Sequence, residues 1–97
     1  MVEQITVADR KSSTARELAV SGVFIAVGME PQNALVQGLA ALDDAGYIIA
    51  GEDCRTSVPG IYAVGDIRTK QLRQVVTAVA DGAVAVSSLE QDFLKQN

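Results

Sequence analysis

The spacing of hydrophobic positions changes along this chain, and each change marks an element. In VEQITVA, residues 2–8, apolar and polar positions alternate, with Val2, Ile5 and Val7 as the fixed apolar points. The polar stretch DRKSST follows, and ARELAV, residues 15–20, alternates again through Leu18 and Val20. Two alternating runs joined by a polar turn predict a β-hairpin. The next run, GVFIAVG at residues 22–28, is apolar throughout, the pattern of a strand covered on both faces.

MEPQNA then breaks the pattern, because Pro31 imposes an extended or turning backbone. Residues Leu35 to Leu42 admit a short helical turn followed by a strand. A DDAG turn introduces GYIIAG (46–51), and Pro59 introduces GIYAVG (60–65); both read as short strands. From Leu72 to Lys95 the grain is different. Leu72, Val75, Val76, Val79, Ala83, Val86, Leu89 and Phe93 recur at three- and four-residue steps, which predicts one long amphipathic helix. Gly82 lies inside it at a cost of roughly 1 kcal/mol against alanine. Either another backbone approaches there or the glycine is simply tolerated. A hairpin, short strands and a single helix leave strand edges and one helix face without partners, so the pieces read as part of a larger α/β structure.

Composition narrows the chemistry. The chain has 97 residues, enough for one small domain. Hydrophobic residues make up 48% and aromatic residues only 4%, so the core must be built from Val, Ile, Leu and Ala. A formal net charge of -4 with no cluster of Lys and Arg argues against a nucleic-acid partner. One cysteine, Cys54, and no histidine exclude an internal disulfide and leave a zinc site without its usual ligands. MVEQITVADR is not a signal peptide and no apolar run has membrane-spanning length, so a cytoplasmic, reducing location is expected, with no membrane partner. Scattered Arg10, Lys11, Arg16, Arg68 and Lys70 read as solvated hairpin and loop decoration.

The chemistry concentrates at TSVPGIYAVGD, residues 56–66, and the helix start that follows it. A strand ends in Gly65 and Asp66, a short loop intervenes, and a helix begins near Arg73, Gln74 and Val75. In open α/β structures ligands sit beyond the carboxyl ends of strands. Gly65 allows close approach to the main chain. Asp66 offers an acceptor for ligand hydroxyls, and the first-turn amides favour an electron-rich or anionic group. A flavin with its ribitol chain satisfies both, but spacing leaves a second reading open, in which Asp66 merely ends a strand by bonding nearby amides.

These residues carry a resemblance. TSVPGIYAVGD is similar to the second flavin motif of pyridine nucleotide–disulfide oxidoreductases, with matches at Thr56, Tyr62, Ala63, Gly65 and Asp66. With GVFIAVGMEPQN and DDAGYIIAGEDCRTSVPGIYAVGDIRTKQLRQVVTAVADGAVA, nearly the whole chain resembles the C-terminal part of bacterial low-molecular-weight thioredoxin reductase. The resemblance implies an α/β fold, the C-terminal part of a Rossmann-like FAD/NAD(P)-binding fold. Residues 1–28 would be the last strands of the NADPH domain and residues 29–97 the final FAD-domain segment, with Gly28 and Pro31 at the crossing. Asp66 would hydrogen-bond the ribitol of FAD. Arg73, Gln74 and Val75 would stand beside the isoalloxazine, the amides of Gln74 and Val75 near its pyrimidine edge. The helix N-terminus would then stabilise negative charge on the reduced ring.

The same resemblance implies NADPH, a thioredoxin partner and a homodimer for the full-length enzyme. The family's two GxGxxG motifs and its CxxC pair are absent from these residues. Cys54 lies in the CRT stretch, outside that pair, and is expected to be a packing residue. The chain is therefore expected to be a fragment that supplies one wall of the flavin site, with no catalytic residue of its own, and to be inactive alone. Two alternatives stay open. One is a free-standing, non-enzymatic dimerisation or interaction module; the other is a fragment of a related flavoenzyme, a ferredoxin–NADP reductase or peroxiredoxin reductase.

Overall fold

A computed structural model describes residues 1–97. Its first element is the expected hairpin. Strands β1 (Gln4–Ala8) and β2 (Ala15–Ala19) pair antiparallel, from Gln4 opposite Ala19 to Ala8 opposite Ala15. The turn forms because the Asp9 carboxylate accepts the amides of Lys11 (2.7 Å) and Ser12 (3.1 Å), while Ser13 takes a positive φ of 56°. The hairpin packs against no other regular element.

The run at residues 22–28 is not the expected strand. Phe24, Ile25 and Val27 are 99%, 84% and 93% exposed, and Ser21 to Glu30 form no backbone–backbone hydrogen bond. An apolar run becomes a strand only when a neighbouring strand takes its amides and carbonyls. No segment of this chain lies alongside to do so.

Residues 33–69 fold around a small core of Ala40, Ile48, Ala50 and Ala63, against which Val36, Leu42, Val58 and Ile67 pack. The segments expected as short strands contribute single paired positions instead. Ile48 bridges Leu42 on one side, antiparallel, and Arg68 on the other, parallel, while Arg55 bridges Tyr62. Gly46, at φ +88°, leaves its Cβ position to the Asn33 side-chain amide, which donates to the Gly46 carbonyl at 2.8 Å.

A 3-10 turn, Gly65–Ile67, follows the Tyr62 bridge and places Asp66 in its middle. The helix, α1, runs from Val75 to Lys95 with Gln74 as its N-cap. The Thr77 hydroxyl accepts the Gln74 amide at 3.0 Å, and Lys95 in the last turn suits the negative end of the helix dipole. The periodicity of apolar residues therefore marks the helix correctly, but the face that docks in this chain is the polar one. Asp81 and Ser88 are buried and Asp92 is half-buried, whereas Val75, Val76, Val79, Val86 and Phe93 are exposed. Steps of seven and four residues put the docking side chains in one stripe. Gly82 meets nothing within 4 Å. No helix is long and apolar enough to cross a membrane.

Candidate functional site

Asp66 stands between two adjoining hollows. One, of about 400 Å³, is lined by Asp66, Gln74, Val75, Ala78 and Val79. The other, of about 370 Å³, is lined by Asp66 with Met29, Pro31, Tyr47 and Arg73. Asp66 is exposed and its carboxylate bonds to nothing in the chain, which leaves its oxygens available as acceptors.

The backbone around Asp66 is held firmly. Gly65 has a φ of +75°, a left-handed backbone that favours glycine, and a Cβ there would rest in ordinary contact 3.4 Å from the Ala78 methyl. Arg73 braces the same turn from the other side. Its Nε donates to the Asp66 carbonyl (2.9 Å), its Nη2 donates to the Arg68 carbonyl (3.1 Å), and its guanidinium lies 3.9 Å from the centroid of the Tyr47 ring. With its donors directed at carbonyls, Arg73 acts here on the shape of the wall.

At the helix start, the Gln74 amide is occupied by the Thr77 hydroxyl. The amides of Val75 and Val76 have no partner, since the first intrahelical bond runs from the Ala78 amide to the Gln74 carbonyl. Of the two amides expected at a ring edge, Val75 supplies a free donor, and Val76 adds one that sequence reasoning passed over. An exposed carboxylate and the free Val75 amide thus line one hollow, as a ligand with hydroxyls at one end and an electron-rich edge at the other requires.

The surroundings correct one expectation. Arg68 and Lys70 are not solvated loop decoration. Arg68 is 1% exposed, and both cations converge on Asp81. One Asp81 oxygen accepts from Arg68 Nε, Lys70 Nζ and the Gly65 amide, each at 2.8 Å, and the other accepts from Arg68 Nη2 at 2.9 Å. Arg68 also donates to the carbonyls of Ala50 and Thr69 and to Glu52. A buried arginine is tolerated because counter-charge and carbonyls meet its whole fork. The Arg68 guanidinium, and then Lys70, hold the Asp81 carboxyl far below the usual carboxylate range against the opposing effect of burial. The spacing Asp81, Ser88, Asp92 along the helix was the available signal, masked by the stronger apolar periodicity of the opposite face.

Cys54 is fully buried at φ +61°, with its thiol donating to the Asp81 carbonyl at 3.5 Å. Burial, and then the Asp81 charge, push its pKa up. That is the environment of an inert packing thiol. A larger hollow of about 680 Å³ lies at the far end of α1, between residues 55–62 and the last helical turns. Three of its polar side chains, Arg55, Tyr62 and Asp92, are already committed to one another. Asp92 accepts from Arg55 Nε and Nη2, both at 2.9 Å, and from the Tyr62 hydroxyl at 2.6 Å. The hollow at Asp66 brings a free carboxylate together with a free helix-end amide.

The pyridine nucleotide-disulphide oxidoreductase family matches residues 1–82, and this chain belongs to that family. Within it, the similar proteins are thioredoxin reductases. The chain is 50% identical over 70 residues to the thioredoxin reductase of Peptoclostridium litorale, covering 72% of this chain and 22% of that protein. It is 45% identical over 84 residues to that of Treponema pallidum, covering 87% of this chain and 27% of the relative. The crystal structure of thioredoxin reductase from Streptococcus pyogenes superposes with a TM-score of 0.77 at 40% identity, covering 96% of this chain and 30% of that one. The chain thus spans under a third of the length of the proteins it matches.

Proposed function

We propose that this chain forms the ribitol- and isoalloxazine-facing wall of the FAD site in a thioredoxin reductase. Residues 29–97 would be the FAD-domain segment and residues 1–28 the end of the NADPH domain. The observation that carries the reading is the shared hollow: the unpartnered Asp66 carboxylate on one side and the free amide of Val75 on the other. Asp66 accepts hydrogen bonds from the ribitol hydroxyls. The helix N-terminus would hold the electron-rich pyrimidine edge, and the left-handed backbone of Gly65 shapes the turn that carries Asp66.

Asp66 and the Val75 amide would hold FAD, which would supply the redox chemistry between NADPH and a dithiol that serves thioredoxin. The chain's own residues orient the ring and bias it toward the charged reduced form. The exposed apolar face of α1 and the unpaired run at Phe24–Val27 fit a segment that packs against further protein. The chain alone would not turn over.

The test joins this chain to the portion of the Streptococcus pyogenes enzyme that it does not match. The purified protein is expected to retain FAD, seen in the flavin absorption bands, and Asp66→Ala is expected to lose most of it. A well-folded protein that excludes flavin, or binds it equally with Asp66→Ala, overturns the reading. A stable dimer of the 97-residue chain without flavin affinity in the joined protein would favour the interaction module instead.

A further inference from the structure

We propose that Asp81 is the positioning residue of this wall: one buried carboxylate on α1 ties down Gly65, Arg68 and Lys70 and so sets where Asp66 stands relative to the free amides of Val75 and Val76. The inference rests on the flavin-wall reading and deepens it. Gly65 immediately precedes Asp66, and Arg68 and Lys70 follow it within one short loop; all of them bond the same side chain. The side chains of Arg68, Lys70 and Asp81 are 2%, 5% and 8% exposed, so water does not loosen the arrangement.

The connection also runs forward to the helix start. The carbonyls of Asp66 and Arg68 both accept from Arg73, the residue just before the N-cap. Asp66 is therefore gripped on either side through its main chain while its carboxylate stays free.

A buried ion cluster is rarely the most stabilising way to fill a site, because desolvation offsets much of the attraction. What it supplies is register. Apolar packing would let the 3-10 turn slide along the helix, whereas a carboxylate with three separate donors accepts only one placement of them. The turn and the helix touch here through glycine and alanine, small residues that fix little by shape. Asp81 is six residues into α1, about 9 Å along its axis from Val75 at 1.5 Å per residue. It is near enough to govern the hollow and too far to line it together with Val75 and Gln74. Asp92, at the distal clamp, is about 25 Å from Val75 on the same rise.

The test measures FAD affinity and the flavin absorption envelope in the joined protein described above. Asp81→Asn, which keeps shape but loses the charge that gathers Arg68 and Lys70, is expected to weaken FAD binding roughly tenfold, the lower end of what losing a supporting partner costs at metal sites. It is also expected to shift the flavin band. Asp81→Glu, which retains the charge, should fall between Asp81→Asn and the unaltered protein. Asp92→Asn, which breaks a comparable clamp remote from the hollow, should leave affinity and band unchanged.

Should Asp81→Asn fail to fold, Asp81→Glu carries the test alone, because its extra methylene displaces Gly65. Unaltered affinity and spectrum in Asp81→Glu, or equal effects of Asp81→Asn and Asp92→Asn, overturn the proposal while leaving the wall itself intact. An unaltered joined protein that excludes flavin overturns the wall and this inference together.

Discussion

Arg55 and Asp92 face each other as a two-pronged pair, Nε to Oδ2 and Nη2 to Oδ1, both at 2.9 Å. The pair pins the loop that begins the GIYAVG segment to the last turns of α1. Tyr62 reinforces it through the same carboxylate, and the Ser88 hydroxyl reinforces it by donating to the Asp53 carbonyl at 2.7 Å. Arg55→Lys is expected to lower the melting temperature although it preserves charge, because an ammonium cannot match a carboxylate with a planar fork. Tyr62→Phe should lower it less, since Arg55 still satisfies Asp92. Thermal unfolding followed by circular dichroism checks both. Equal melting temperatures for Arg55→Lys and the unaltered chain would mean that only the charge matters.

The same carboxylate gives the fold a pH signature. The Arg55 guanidinium, and then the Tyr62 hydroxyl, hold Asp92 down to about 2, below the usual carboxylate value of roughly 4 in an unfolded chain. A depressed folded pKa contributes stability that is complete above the unfolded value and lost as pH falls through the folded one. Asp81 is depressed further still, so its contribution disappears later in the acid range. Acid unfolding should therefore begin below about pH 4. Tyr62 works in the opposite direction. Its bond to Asp92 raises its pKa, so its contribution is complete below about pH 10 and declines as the hydroxyl ionises above it. Melting temperature measured across the pH range should show both shoulders. Asp92→Asn should diminish the acid shoulder, and a curve unchanged by that substitution would contradict the assignment.

Cys54 supplies a probe of the core. Its side chain is fully buried and its pKa is raised, so little thiolate forms at neutral pH and reagents cannot reach it. Its reaction with a thiol-specific chromogenic reagent should be slow in the native chain and immediate in denaturant. Rapid native labelling would show that the Asp53–Arg55 loop opens away from α1.

The elements differ in how plainly the sequence announced them. The hairpin followed from alternation plus the Asp9 turn, and the helix followed from a long three-four repeat, because both depend on contacts between near neighbours in sequence. GVFIAVG did not become a strand, because an apolar run says that partners are wanted without saying that this chain contains them. The Asp66 turn and the helix start were legible as a motif, and the fold brings them to one hollow. The clamp at Asp81 was not. Arg68 and Lys70 looked like surface charges, since nothing local to a loop lysine reveals an aspartate more than ten residues away in the next helix.

Two glycines test whether backbone freedom is needed where the structure says it is. Gly65 adopts φ +75°, where a residue with a Cβ is disfavoured by roughly 1–2 kcal/mol, and its missing methyl faces Ala78 at 3.4 Å. Gly65→Ala is thus expected to destabilise by about that amount, and in the joined protein it should also disturb the Asp66 hollow. Gly82 lies in a regular helix with nothing within 4 Å of the added methyl. Gly82→Ala in the 97-residue chain should stabilise by about 1 kcal/mol, the difference in helix propensity. Urea unfolding of both variants gives the signs directly. Destabilisation by Gly82→Ala in the joined protein, alongside stabilisation in the 97-residue chain, would show that another backbone crosses α1 at that point.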